Sequence, residues 1–163
     1  MMTIRLAATK DIPALQELWK EFMDFHAEGE SFWTRARDGH EVWAGFCQQH
    51  IDEDDKLALV AEDAGRLVGY GLAALQEYPP VLVLSRYGMV RDMAVTAGHR
   101  RRGVGRALFA EMERWFLARG VEHLELNVSV ANEGARRFWR AMGFRQFIEK
   151  LARDDDAEHR GDG

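Results

Sequence analysis

Val90-Arg91-Asp92-Met93-Ala94-Val95, then Thr96-Ala97-Gly98-His99, then Arg100-Arg101-Arg102-Gly103-Val104-Gly105-Arg106 is the stretch on which the reading turns. Its three pieces predict a strand, a turn and the entry to a helix. Gly103 and Gly105 carry no Cβ, so backbone there can approach a ligand closely. The first amides of a helix have no intrahelical partner and carry the positive end of its dipole. A pyrophosphate accepts several such hydrogen bonds, and the four arginines add charge and phosphate-directed donors. The pattern is neither the three-glycine dinucleotide fingerprint nor the Walker loop, because it lacks Gly-Lys-Ser/Thr. The residues alone leave two other readings open. One is a helix start with a solvated basic surface; the other is an arginine run that touches nucleic acid.

Composition weighs against the last of these. The chain of 163 residues carries a net charge of −5, with 47% hydrophobic and 30% charged residues, the mix of a globular domain. The segment 153–163 holds five acids against two bases, so the remaining body is weakly acidic and bulk nucleic-acid binding is disfavoured. We expect one domain over 1–152 and an acidic, disordered tail over 153–163. Nine Phe and five Trp supply a large core. The lone Cys47 excludes an internal disulfide, which fits a reducing cytoplasm. The residues from Met1 to Lys10 include two cations and no long apolar run, unlike a signal peptide. No apolar stretch reaches the roughly 18 residues of a membrane helix, so no membrane partner is expected. The six His and one Cys show no metal-ligand spacing.

Working outward, Thr3–Ala8 reads as a strand. Leu15, Leu18, Trp19, Phe22, Phe25 and His26 recur at helical spacing after an N-cap at Asp11 or Thr9, until Gly29. A weaker helix is expected over Arg35–Ile51. Lys56–Ala61 and Arg66–Leu75 form a hairpin about Asp63-Ala64-Gly65, and Val81–Leu84 adds an edge strand after Pro79-Pro80. Tyr87–Val95 is a strand, and the helix from Gly103 ends at Gly120. Val121–Val130 alternates, with His123, Glu125, Asn127 and Ser129 on its polar side. Asn132 caps a short helix that stops at Gly143, and Phe144–Leu151 closes the domain as a strand. The whole is an α/β fold with a central, mostly antiparallel twisted sheet of six to seven strands and about four helices.

Met93-Ala94-Val95, Arg100-x-x-Gly103-x-Gly105 and Asn132-x-x-Ala135-x-x-Phe138-Trp139-x-x-x-Gly143-Phe144, in that order, resemble the GNAT superfamily of acyl-CoA-dependent N-acetyltransferases over nearly the whole chain. The resemblance implies a GNAT-like fold with acetyl-CoA as co-substrate. It implies that the main chain of Met93 and Val95 bonds the pantetheine arm. Amides and side chains in the run Arg100, Arg101, Arg102, Gly103, Val104, Gly105 and Arg106 would hold the diphosphate. Asn132 would contact the coenzyme as well as cap its helix, and Val95 would offer an N–H to the thioester oxygen. Members of this superfamily often pair, so a homodimer is allowed.

Acetyl transfer needs a neutral amine. An alkylamine with a pKa near 10.4 is about 1 part in 2,500 neutral at pH 7, a cost of roughly 4.6 kcal/mol, so a base helps. The resemblance points to a carboxylate four residues before Val95 and to a Tyr seven after Asn132. Here those positions hold Arg91 and Trp139, and an indole is no proton source. Glu125 and Asp92 are the substitute bases, each otherwise a surface carboxylate or the partner of an arginine; Tyr87 is an alternative acid. The resemblance places the acceptor pocket on the first two helices and their connection, where Phe25, Glu28 and Trp33 offer aromatic and acidic groups to a cationic small-molecule amine. Cys47, on an apolar helix face, reads as a buried hydrophobe. The missing acid and base favour a rival reading, a coenzyme-A-binding module without turnover.

Overall fold

A computed structural model describes residues 1–154; the expected disorder from Asp155 onward lies outside the described residues. Five strands form one sheet in the order β1 (Met2–Leu6), β2 (Lys56–Asp63), β3 (Arg66–Glu77), β4 (Arg86–Val95), β5 (Leu124–Leu126). The first three pairings are antiparallel and the last, β4 with β5, is parallel. The sheet is therefore mixed and, among the described residues, has five strands, not the expected six to seven.

Three expectations fail here for one reason: a β-prone run becomes a strand only beside a partner. Val81–Leu84 is no strand. Tyr78 N–H closes onto Ser85 O and Leu82 N–H onto Pro79 O, and the two prolines have no N–H for a ladder. Of Val121–Val130 only Leu124–Leu126 pairs. Phe144–Leu151 forms no strand either; Phe144 N–H turns back to Trp139 O, and its ring packs on Phe109 and Trp139.

Four helices cover the sheet: α1 (Ile12–Gly29), α2 (Gly39–Asp52), α3 (Val104–Leu117) and α4 (Glu133–Ala141). On one face Val104, Leu108, Phe109, Met112 and Phe116 of α3 bury against Leu57, Leu59, Val68, Ala73 and Val90. On the other, Leu15 and Trp19 of α1 and Trp43 and Cys47 of α2 bury against Ala58, Val60, Tyr70 and Leu72. Removing this apolar surface from water on both faces is the main stabilising term. Asp11 occupies the N-cap place of α1 without bonding a helix amide. Its carboxylate instead takes Arg5 in two bonds of 2.8 and 3.0 Å and the Ala8 N–H at 2.8 Å, so it ties β1 to the helix entry.

Candidate functional site

The site begins with a one-residue irregularity. Leu72 lies opposite Asp92 and Ala73 opposite Val90, which leaves Arg91 without a partner on β3. This is a β-bulge, and it changes which face each side chain takes. Val90, Met93 and Val95 pack on the α3 side. Asp92 turns to the α1/α2 side and meets Trp43 and Tyr70. In a regular strand Val90 and Asp92 would share a face.

Close to the bulge the sheet divides. Pairing of β4 with β5 ends at Val90 opposite Leu126, and past that point the β5-facing edge of β4 has no strand partner among the described residues. Thr96 N–H donates to Val68 O at 2.9 Å, so alternation directs the main-chain groups of Met93 and Val95 toward the open edge. Val95 O there accepts Arg100 Nε–H at 3.2 Å.

The turn after β4 is held by α1. The Glu21 carboxylate accepts the Thr96 hydroxyl, at 3.1 and 2.9 Å to its two oxygens, and the Ala97 N–H at 2.8 Å. Sequence reading missed Glu21, and no local pattern marks it. Beyond the turn, Arg101 and Gly103 both adopt left-handed conformations, φ 60° and 81°. For arginine this is an uncommon state, and such alternations turn successive amides into an anion-binding concavity. Gly103 is the N-cap of α3 and makes no side-chain cap; the first amide to close a helical bond onto it is that of Ala107, to Gly103 O at 3.0 Å. The amides before Ala107 are thus the unpartnered donors of the helix start. Arg101, Arg102 and Arg106 are exposed around them. The guanidinium of Arg100 is turned away, 4.7 Å above the Phe25 ring. The two glycines differ in use. A Cβ on Gly103 would meet open space, whereas one on Gly105 would sit 3.3 Å from Phe138 Cζ, so Gly105 lets α4 approach α3.

Among the described residues Asp92 has no arginine partner. Its Oδ2 accepts Tyr70 O–H at 3.0 Å and Trp43 Nε1–H at 3.2 Å, while no side-chain donor reaches Oδ1 among the described residues. Burial pushes its pKa up to about 6, against hydrogen bonds from Tyr70, Trp43 and the Met93 main chain that pull it down. The same environment drives the Tyr70 phenol well above its usual value, first by burial and then by the Asp92 charge. Glu125 stands on the same sheet face, since its neighbours Leu124 and Leu126 pack toward α3. Its Oε2 lies 2.9 Å from His123 Nε2, which is 3.4 Å from Tyr78 O–H. Burial raises its pKa. Tyr87 stacks on Tyr78 at 4.2 Å. Local sequence does not mark Trp43 and Tyr70, which reach Asp92 from distant segments, or Tyr78, which reaches His123.

Asn132 caps α4 through Oδ1, which accepts the Ala135 N–H at 3.0 Å. Phe25 and Trp33 flank His26, each with ring centroids 5.9 Å from it. Burial, then the charge of Arg100, lowers the pKa of His26. Glu28 is exposed beside them. Cys47 is buried and its thiol is pushed up to about 12, chiefly by burial, which makes it an unreactive core residue. Among the described residues no group of three or more His, Cys, Asp or Glu could hold a metal ion. No described helix is long and apolar enough to cross a membrane.

An opened strand edge leading into a helix start with free amides is the arrangement the signature residues imply, and residues 12–144 match the acetyltransferase (GNAT) family. The chain belongs to that family. It is 24% identical over 147 residues to an uncharacterized N-acetyltransferase, YhfO, of Bacillus subtilis, covering 89% of this chain and 91% of that one. It is 30% identical over 137 residues to the streptothricin acetyltransferase of Streptomyces lavendulae, covering 84% of this chain and 62% of that protein. Its fold resembles a predicted acetyltransferase from Clostridium acetobutylicum, solved with acetyl-CoA, at TM-score 0.77 and 18% identity, covering 94% of this chain and 96% of that one.

In this GNAT acetyltransferase the two signature departures have structural explanations. Arg91 is the bulge residue and is exposed. Trp139 is set among Phe109, Phe138 and Phe144 at centroid distances of 4.8 to 5.5 Å. It fills space between α3 and α4 and brings the chemistry of an indole, not of a phenol, to its position.

Proposed function

We propose that the protein transfers an acetyl group from acetyl-CoA to a primary amine by direct attack within a ternary complex. The observation that carries this reading is the open β4 edge at Met93 and Val95, running into the unpartnered amides before Ala107. The main chain of Met93 and Val95 bonds the pantetheine arm, the amides from Arg101 to Arg106 hold the diphosphate, and Asn132 contacts the coenzyme beyond its cap. The neighbour from Clostridium acetobutylicum solved with acetyl-CoA supports acetyl-CoA as the co-substrate.

Asp92 is the base. Two side-chain donors fix its Oδ2, the Met93 main chain bonds the carboxylate as well, and it stands on the same strand segment as Met93 and Val95. A carboxylate with a pKa about 6 is ionised at neutral pH yet basic enough to help deprotonate an ammonium. The amine nitrogen then attacks the thioester carbonyl; the C–N bond forms, the C–S bond breaks with its electron pair leaving on sulfur, and the second proton of the attacking nitrogen passes through solvent to the thiolate. A thiolate with a pKa near about 8.5 is a tolerable leaving group without an acid. Loss of general acid catalysis slows such a step by roughly 10²–10⁴ without forbidding it. Glu125, paired with His123, presents negative charge to the acceptor from the same sheet face. Phe25, Trp33 and Glu28 form the outer acceptor wall, suited to a cationic small molecule with an apolar portion; the streptothricin acetyltransferase relative supports an amine-bearing acceptor.

The test is thiol release from acetyl-CoA with a panel of aminoglycosides, polyamines and peptides, beside thermal-shift titration with the coenzyme. Turnover with a cationic amine, lost in Gly103→Glu, is the expected result. Stabilisation by acetyl-CoA without thiol release for any amine would make the protein a binding module. Full coenzyme affinity in Gly103→Glu would remove the diphosphate site.

A further inference from the structure

Arg100 touches the coenzyme edge and the acceptor wall at once. Its Nε–H donates to Val95 O at 3.2 Å. Its guanidinium carbon stands 4.7 Å from the centre of the Phe25 ring, within the roughly 6 Å of a cation–π contact. Phe25 is 45% exposed, so its ring is open to a ligand as well as to Arg100. Glu28 follows Phe25 by three residues on α1, which puts the two side chains on one side of the helix, about 5–6 Å apart at Cβ. The other three carboxylates of α1 are engaged: Glu17 with Lys20, Glu21 with Thr96 and Ala97, Asp24 with Arg35. Glu28 is exposed and forms no ion pair among the described residues. An open aromatic face that already carries a guanidinium, beside an uncommitted carboxylate, is a seat for a cation.

We propose that Phe25 and Glu28 seat a second cationic group of the acceptor, an ammonium or guanidinium a few carbons from the amine that is acetylated, and that Arg100 is the built-in competitor for that seat. The inference rests on the acetyl-transfer reading above and gives it a substrate class. Arg100 reaches the ring while bonded to Val95 O, so the seat lies little more than one guanidinium away from the coenzyme edge. That spacing suits a short diamine or an aminoalkyl guanidine. Tethered to Val95, Arg100 uses the ring and makes no ion pair with Glu28. A ligand cation without that tether contacts both. When the pantetheine arm takes Val95 O, Arg100 loses the stronger of its two contacts, and the diphosphate just beyond it in the chain offers a charge-assisted bond in exchange. A seat that the protein fills by itself binds a ligand more weakly, in proportion to the fraction of time it is open. Arg100 therefore sets how strongly a second cation is rewarded.

Two amines test it by thiol release at saturating acetyl-CoA: agmatine, with a primary amine at one end of a short chain and a guanidinium at the other, and pentylamine, with the same amine on an apolar chain. In the wild-type protein kcat/KM for agmatine is expected to exceed that for pentylamine by about tenfold or more. That ratio is expected to fall about threefold in Phe25→Leu and about threefold in Glu28→Gln, and to rise several-fold in Arg100→Ala, with every variant still stabilised by acetyl-CoA. A wild-type ratio near one, a ratio that neither Phe25→Leu nor Glu28→Gln moves, or a lower ratio in Arg100→Ala would overturn the proposal. So would turnover of other amines with none of agmatine. In all of these cases acetyl transfer itself stands. Thiol release with no amine at all would remove the transfer reading, and the cation seat with it.

Discussion

Asp92 shows how much a single residue's setting decides. Its sequence neighbour Arg91 invites an ion-pair reading, but the bulge sends the carboxylate to Trp43 and Tyr70. Its folded pKa, about 6, lies above the ordinary 3.8, so between those values the folded protein holds more proton than the unfolded chain. Stability therefore falls as pH rises from about 4 to 6, and the penalty is complete above 6. Asp92→Asn removes that penalty and can keep both donors. It is expected to stabilise the protein by about 1–3 kcal/mol at pH 8 and by little at pH 4, read from urea unfolding at the two pH values. The same variant is expected to lower kcat by roughly 10²–10⁴ and to abolish the limb near pH 6 in the kcat/KM profile. A profile that keeps the limb would move the base to Glu125. At Gly103, φ of 81° with open space around the missing Cβ isolates backbone strain from crowding. Gly103→Ala is expected to cost about 1–2 kcal/mol in unfolding, with a lower melting temperature as the readout.

At the scale of elements, two contacts hold the turn and the last helix. Asn132→Ala loses the bond to the Ala135 N–H and is expected to cost about 1 kcal/mol. Asn132→Asp restores the cap, so a coenzyme KM that stays raised in Asn132→Asp assigns the contact to acetyl-CoA; recovery would leave Asn132 a cap alone. Glu21 joins α1 to Thr96 and Ala97. Glu21→Ala is expected to raise the KM for acetyl-CoA several-fold, through a looser turn, while kcat changes little. The sequence made β2, β3, β4, α1 and α3 legible, because strong periodicity and glycine stops mark them. It did not show that Val81–Leu84 and Phe144–Leu151 lack partners, since strand propensity says nothing about a neighbour. Nor could it show the bulge at Arg91: one extra residue leaves the apolar pattern of β4 intact while reversing the faces beyond it. For that reason the strand, turn and helix start of the motif were readable from local sequence, whereas the Trp43–Asp92–Tyr70 cluster, joined across 49 and 22 residues, was not.

For the whole molecule, the division of labour follows the two cores. The face under α3 and α4 carries Met93, Val95 and the helix start, the side on which the coenzyme motifs converge. The face under α1 and α2 carries Asp92 and Glu125, with Phe25 and Trp33 at its margin. The pairing of β4 with β5 ends at Val90, and in the proposed reaction the amine reaches the thioester where the two strands part. A crystal structure of the protein with acetyl-CoA tests this most directly. The account predicts the diphosphate on the amides from Arg101 to Arg106 and the pantetheine arm along Met93 and Val95, with Arg100 released from Val95 O. A coenzyme bound elsewhere, or a filled crystal in which those amides face only water, would contradict it.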